Sequence, residues 1–345
     1  MKKFSLIWMM VVISLAGCTS DKAFKPDARA RRIDLYTKLV VKFLHDQDLP
    51  ELDSAEPWEN EYGPGLKLTT KHYEVYTTLF NPEMLCKVPR FMETAYRAYN
   101  SQLPKPVKTS AKFPVYLFAE RRQWDHFTWN FADEQAEMFC KIKAGAYCHN
   151  GACVAYDIGL ERTFMALGHE GWHQFNSRVF KFRLPSWLDE GVAMLFEAHV
   201  SKDGAIYFVP GQNTYRLDAL KETLAKDAVI PLRELTAINP GQVLATDATE
   251  DVMAFYSQSY ALVRFLREAD SGKRLNVYHK LLADGLWGDW PIDEISKEVA
   301  INRNMPKTIL WNHIVGTILF QKYIDEDFER VEQEYLSFCR DITRI

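Results

Sequence analysis

Strand-like patterning is confined to the first half of this chain, and that asymmetry limits the folds open to it. Apolar residues alternate with polar ones over Leu66–Leu79 and Phe113–Phe118, and Ala144–Ile158 reads as a hairpin around Asn150-Gly151. After Glu161 strands nearly vanish. Helical spacing runs instead through Leu160–Phe180, Ser186–Val200, Leu217–Ala225, Ser257–Glu268, Leu275–Ala283, Lys307–Phe320 and Asp325–Arg340. Earlier helices are expected at Ala28–His45, Pro89–Leu103 and Arg121–Phe131, and the Pro- and Gly-rich stretch from Leu49 to Gly65 reads as irregular. This order predicts an α+β fold. An N-terminal α/β lobe with a small mixed sheet (28–160) is followed by a pair of helices (161–200) and then a helical C-terminal lobe (201–345). The 345 residues, 47% of them hydrophobic, are enough to bury a sizeable core. The formal charge of −4, or −6 without Lys2 and Lys3, leaves no basic footprint for nucleic acid.

The first 17 residues have the form of a targeting signal: two lysines, then an apolar run from Phe4 to Leu15 that is short for a membrane span. The run ends in Leu15-Ala16-Gly17-Cys18, which resembles a bacterial lipobox. That resemblance implies cleavage before Cys18, diacylglycerol on its sulfur and acylation of its new amine, enough acyl chain for stable attachment to a membrane surface. Residues 18–27 are then a polar tether. Thr19 stands where an Asp would resemble an inner-membrane retention signal, so the expected place is the cell envelope, on the outer membrane facing the periplasm.

Five further cysteines, Cys86, Cys140, Cys148, Cys153 and Cys339, would occupy a compartment where disulfides persist. A bridge from Cys148 to Cys153 across the hairpin and one from Cys140 to either of them are both compatible with the spacing. No close Cys-x-x-Cys pair points to a metal cluster.

The chemistry-bearing residues fall where strands give way to helices. His169 and His173 are four apart on an expected helix, which places both imidazoles on one face, about 6 Å apart along the axis and roughly 40° apart around it. Two nitrogens so placed can converge on one zinc ion. Glu170 flanks the same face, where its carboxylate can hold a water molecule and take its proton. Gly171 is the one oddity, costing about 1 kcal/mol against Ala inside a helix unless close packing requires it. A zinc site needs a third protein ligand and an open position. Glu190, in a helix opened by Pro185 and Ser186 and seventeen positions after His173, is the expected one; Asp189 competes but points about 100° away on the helix.

Together, His169-Glu170-x-x-His173 and Trp187-Leu-Asp-Glu190-Gly-x-Ala193 resemble the gluzincin metallopeptidases, the group of thermolysin and aminopeptidase N. The likeness is greatest to the bacterial peptidase MA-like families and extends over roughly 66–283. It implies a zincin-like fold, zinc (Zn2+) held by His169, His173 and Glu190, Glu170 as general base, and a peptide or protein substrate. Those families carry a Tyr-x-Gln-Ser helix start, matched by Tyr256-Ser257-Gln258-Ser259. The resemblance makes Tyr256 the oxyanion donor, with Tyr260, one turn on, as the alternative. It also suggests that Ala152–Tyr156 is an edge strand that binds extended peptide through its backbone, the same strand buried within the sheet being the alternative.

The chain departs from that pattern in two places. The Gly-x-Met-Glu-Asn motif that anchors the free amine of aminopeptidase substrates is absent, so action on N-termini is not expected. Position 194 is Met where thermolysin-like enzymes have an aspartate that orients a zinc histidine, which leaves Glu197 and Asp189 as unranked candidates for that task. Two other function classes fit the motifs: a zinc hydrolase acting on a non-protein envelope substrate, and a non-catalytic envelope lipoprotein. Trp124, Trp129, Trp172, Phe127 and Phe131 could line an apolar cleft, though their helical spacing favours ordinary core packing.

Overall fold

The computed structural model describes residues 26–143, 145–239, 249–305 and 308–344. The signal segment, Cys18 and Thr19 lie outside the described residues. The chain is mixed α+β, with one six-stranded sheet in its first half and helices after it.

Helix α1 spans Pro26–His45 and leads into β1 (Ser54–Pro57). The stretch Leu66–Leu79, expected as one strand, is two: β2 (Leu66–Thr69) and β3 (Tyr73–Thr77), antiparallel to each other. A carboxylate sets the reversal. Glu93 accepts hydrogen bonds from Thr70 Oγ1 (2.6 Å), from the His72 backbone N–H (2.8 Å) and from His72 Nδ1 (2.7 Å). Glu93 belongs to α2 (Pro82–Asn100), which starts seven residues before the expected Pro89. Its true start has Asn81 as cap, accepting from the Glu83 and Met84 amides, and Pro82 in the first turn. Pro89 is carried inside the helix.

Strand β4 (Phe113–Phe118), helix α3 (Arg121–Phe131) and the hairpin β5 (Ala146–His149) and β6 (Ala152–Tyr156) complete the sheet. Its order is β1-β2-β3-β4-β6-β5, with β3, β4 and β6 parallel and the rest antiparallel. The outer strand on the far side is therefore β5. Ala152–Tyr156, expected as the edge, is paired on both sides and fully buried, because the Asn150-Gly151 turn, with φ of 48° and 68°, folds β5 back outside it.

One face of the sheet carries Leu68, Val75, Val115 and Cys153 into a core shared with α2 and with α4 (Leu160–Val179). The other face packs Phe118, Val154 and Tyr156 against Trp124 and Phe127 of α3. Trp124, Phe127 and Trp172 are core residues, Phe131 is partly buried, and Trp129 is exposed.

Helix α5 is shorter than expected. It spans Ser186–Ala193, passes into a single tight turn over Met194–Phe196, and gives way to a second hairpin, β7 (His199–Lys202) and β8 (Ala205–Phe208). This hairpin was unread in the sequence although its turn is Asp203-Gly204, with φ of 51° and 76°. The helical region follows with α6 (Thr214–Ala225), α7 (Thr249–Gly272, helical through Glu268), α8 (Leu275–Trp287), α9 (Glu294–Ile301), α10 (Ile309–Leu319) and α11 (Phe328–Thr343). Helix α9 was also unread, being only eight residues long. No described helix is long and apolar enough to cross a membrane.

Candidate metal centre

Helix α4 lies against β5 and β6, and its buried face explains both glycines near the histidines. Tyr99 of α2 donates its hydroxyl to the Gly168 carbonyl at 2.8 Å. A methyl group on Gly171 would sit 2.3 Å from that same hydroxyl, and one on Gly168 would sit 2.2 Å from the Phe196 carbonyl oxygen. The helix accepts two poor helix formers so that α2 and the turn after α5 can press against its back. The opposite face, with His169, Glu170 and His173, is left at a cleft.

Glu190 reaches the same place from α5, which packs closely on α7. A methyl on Gly191 would lie 2.5 Å from the Ser259 carbonyl oxygen of α7. The result is a triangle of ligand atoms: His169 Nε2 to His173 Nε2 is 3.2 Å, His169 Nε2 to Glu190 Oε2 is 3.3 Å, and His173 Nε2 to Glu190 Oε2 is 3.6 Å. Ligands about 2.0–2.2 Å from a tetrahedral ion stand about 3.3–3.6 Å from one another, so the triangle fits one face of such a tetrahedron. These three residues form the group of metal-binding type among the described residues.

The rear of each imidazole is already committed. His169 Nδ1 donates to Glu197 at 2.9 Å and His173 Nδ1 to Asp189 at 3.0 Å. Both candidates left unranked are thus used, one per histidine, and Asp189 is not in the ligand triangle. Glu197 is itself held by a two-pronged contact with Arg216 (2.6 and 2.8 Å) and by Asn213 (2.8 Å), all largely buried. Asp189 Oδ1 also takes the Trp172 indole N–H at 3.1 Å and the Asn176 amide at 2.9 Å. With a single proton on each ring, at Nδ1, the two Nε2 lone pairs and the Glu190 carboxylate face one another with no donor between them, a repulsion that the metal-free chain relieves by protonating the rings further. A cation relieves that repulsion, and the chemistry of the donor set therefore fits a metal.

Charge follows the same logic. In the metal-free chain, burial disfavours charge on His169, but Glu190 and Glu197 outweigh it and lift its pKa to about 9. His173 is raised well above its ordinary value by Asp189 and Glu190, again against burial. Burial alone would raise Glu190, and the two histidines pull it well below the usual carboxylate range. Glu197 is pulled down to about 2 by Arg216 and His169 in spite of burial. Glu170 is the exception: burial raises its pKa more than the histidines lower it.

The two tyrosine candidates are separated by their partners. Tyr260 is fully buried, donates its hydroxyl to the Pro210 carbonyl oxygen at 2.5 Å and accepts from Arg264 at 3.1 Å. Tyr256, partly buried on the same helix, lies close enough to Glu190 for that carboxylate to be the main cause of its raised pKa, ahead of burial. Its ring is 5.4 Å from the Arg216 guanidinium, and its hydroxyl has no hydrogen-bond partner among the described residues.

The cleft in front of the triangle has a volume of about 260 Å³ and is lined by Glu170, His173, Glu190, Cys148, Arg183 and Arg303, among others. Cys148 and Cys153 stand opposite each other in register on β5 and β6, yet they, Cys140, Cys86 and Cys339 are all thiols, so neither expected bridge is formed. Arg183 and Arg303 were not picked out from the sequence. Neither sits in a motif; they meet the site only because the α4–α5 connection is bonded to the C-terminal helices, Phe182 to Gly285 and Arg183 to Ala300. No family model and no curated protein sequence matches this chain.

Proposed function

We propose that this chain is a lipid-anchored zinc metallopeptidase of gluzincin type and zincin-like fold, hydrolysing peptide bonds in the cell envelope. The observation that carries the reading is the triangle of three acceptors from His169, His173 and Glu190, with both Nδ1 protons taken by carboxylates and a fourth carboxylate, Glu170, beside it. Two imidazoles and one carboxylate with an open position suit zinc better than calcium or magnesium. The lipobox-like Leu15-Ala16-Gly17-Cys18 supports attachment through Cys18 to the outer membrane, facing the periplasm.

When bound, zinc would act as a Lewis acid that polarises the scissile carbonyl and makes water a better nucleophile at neutral pH. The chain does the rest. Glu170, kept basic enough by burial, takes the proton of the attacking water and returns it to the leaving amine. The Tyr256 hydroxyl, high in pKa and with no hydrogen-bond partner among the described residues, donates to the carbonyl oxygen as charge develops there. Glu197 and Asp189 fix each ring so that Nε2 faces the cleft. The outermost strand β5, rather than β6, is the strand on which an extended substrate can add main-chain hydrogen bonds.

The test uses the full chain in detergent, its metal content and its cleavage of casein and of a peptide library. One equivalent of zinc is expected in both the natural protein and Glu170→Gln, with turnover reduced at least about a hundredfold in the variant. Tyr256→Phe should keep its zinc and lose about a hundredfold to a thousandfold in kcat. Folded protein that takes up no metal overturns the site; zinc with no turnover on any peptide moves the reading to a non-protein substrate or a binding role.

A further inference from the structure

The cleft is not lined by acids and histidines alone. Arg183 and Arg303 line it as well, one from the α4–α5 connection and one from the segment between α9 and α10. Neither guanidinium has a carboxylate within ion-pair distance among the described residues. Arg183 is held by carbonyl oxygens, donating to Met305 at 2.7 Å and to Val299, and its buried Nε has no partner. Among the described residues Arg303 gives one bond, to the Phe180 carbonyl oxygen at 2.9 Å, and the residue is exposed.

Two like charges held side by side are unfavourable, and this pair bears the mark of it: burial and then the charge of Arg303 push the Arg183 pKa down to about 10. Asp189 attracts Arg303 from a distance, but its Oδ1 already serves His173, Trp172 and Asn176. Carbonyl bonds fix Arg183 in place, and the other N–H groups of Arg303 have no hydrogen-bond partner among the described residues, an arrangement ready for an anion that accepts from a guanidinium fork. Glu170, Asp189 and Glu190 line the same small cleft, so a doubly charged phosphate would be repelled while a single carboxylate can approach the basic side.

We propose that Arg303, backed by the fixed charge of Arg183, binds a carboxylate of the substrate close to the scissile bond. This inference rests on the peptidase reading and supplies its substrate class: peptides with a carboxylate beside the bond that is cut. That group is either the peptide's own C-terminus or an acidic side chain, and both present the same chemistry.

The experiment uses zinc-loaded Glu170→Gln protein, which should hold peptides without cutting them, and three N-acetylated peptides of matched length. One ends in a free carboxylate, one in a carboxamide, and one in a carboxamide with a glutamate inside. Calorimetric binding should favour one or both carboxylate peptides over the neutral one by about tenfold to a hundredfold, the range of hydrogen bonds to charged groups. Adding Arg303→Gln, an exposed change that spares the fold, should bring the ratio close to one; Arg303→Lys should keep part of it. Preference for the free C-terminus alone identifies an exopeptidase acting from that end, and preference for the internal glutamate identifies an acidic specificity. Equal binding of all three, or a preference that survives Arg303→Gln, overturns the proposal. If the natural enzyme still cleaves all three equally, the peptidase reading stands without it; if no peptide binds or is cleaved, both fall.

Discussion

Two carboxylates decide which nitrogen each imidazole offers to the cleft, and only one aspect of that was legible beforehand. The i, i+4 spacing of His169 and His173 was enough to place two rings on one helix face, because helix geometry is local. Glu197 could not be ranked against Asp189, since its role depends on a tight turn over Met194–Phe196 that aims a residue seven positions after Glu190 back at His169. The choice between Tyr256 and Tyr260 was closed to sequence for the same reason, as the partners of Tyr260, Pro210 and Arg264, include one fifty residues away. Glu197→Gln replaces an ionised acceptor by a neutral one while Arg216 stays buried beside it. Zinc affinity, measured by competition with a chromophoric chelator, should fall about tenfold to a hundredfold, the usual cost of losing an outer partner of a metal histidine. An unchanged affinity would show that the imidazole of His169 is oriented by packing alone.

At the scale of elements, the helix that carries both histidines also carries two poor helix formers, Gly168 and Gly171. Propensity alone says that Gly171→Ala should stabilise α4 by about 1 kcal/mol. Packing says the reverse. The added methyl would lie 2.3 Å from the Tyr99 hydroxyl and 3.2 Å from its ring carbon, and Tyr99 is fully buried with that hydroxyl bonded to Gly168. Overpacking of a rigid core costs about 1–3 kcal/mol, so Gly171→Ala should lower the unfolding free energy in a denaturant titration, and a rise would mean that α2 can move away freely. The elements misread in sequence share one cause. Leu66–Leu79 reads as a strand because Leu68 and Tyr73 are both inward, but an odd spacing of five between two inward positions breaks the period of two and marks the turn that Glu93 closes. Pro89 reads as a start because the rule for first-turn prolines is local, while the helix is held through that position by burial on both sides of it.

At the scale of the molecule, one apolar core runs from Leu44 through the sheet, α4 and α5 to Cys339 of the last helix. The helical region also braces the start of α5, the helix of Glu190, since Asn312 of α10 accepts from the Ser186 amide at 2.8 Å and donates to the Ala237 and Ile238 carbonyls. This dependence was invisible in the sequence because it joins positions more than a hundred residues apart. A chain whose main core joins both halves should unfold in one transition, with the smaller core under the sheet lost together with it, and damage far from the candidate metal centre should then appear in the whole of it. Glu93 provides that test, being remote from the centre and 4% exposed. Burial raises its pKa, but the hydrogen bonds from Thr70 and His72 outweigh this and leave it below its ordinary value. A carboxylate with a depressed folded-state pKa contributes stability above its unfolded-state value near 4.5 and loses it as pH falls through the lower, folded one. Guanidinium midpoints of the natural protein should therefore drop from pH 7 to pH 4. Glu93→Gln should start about 1–3 kcal/mol lower at pH 7, as expected for buried donors losing a charged acceptor, and should fall less steeply with acid. Near-ultraviolet signals from Trp124 beneath the sheet and from Trp311 in the C-terminal helices are the reporters. If single-tryptophan versions unfolded at separate midpoints, the two halves would be independent units and the cleft would depend on their docking.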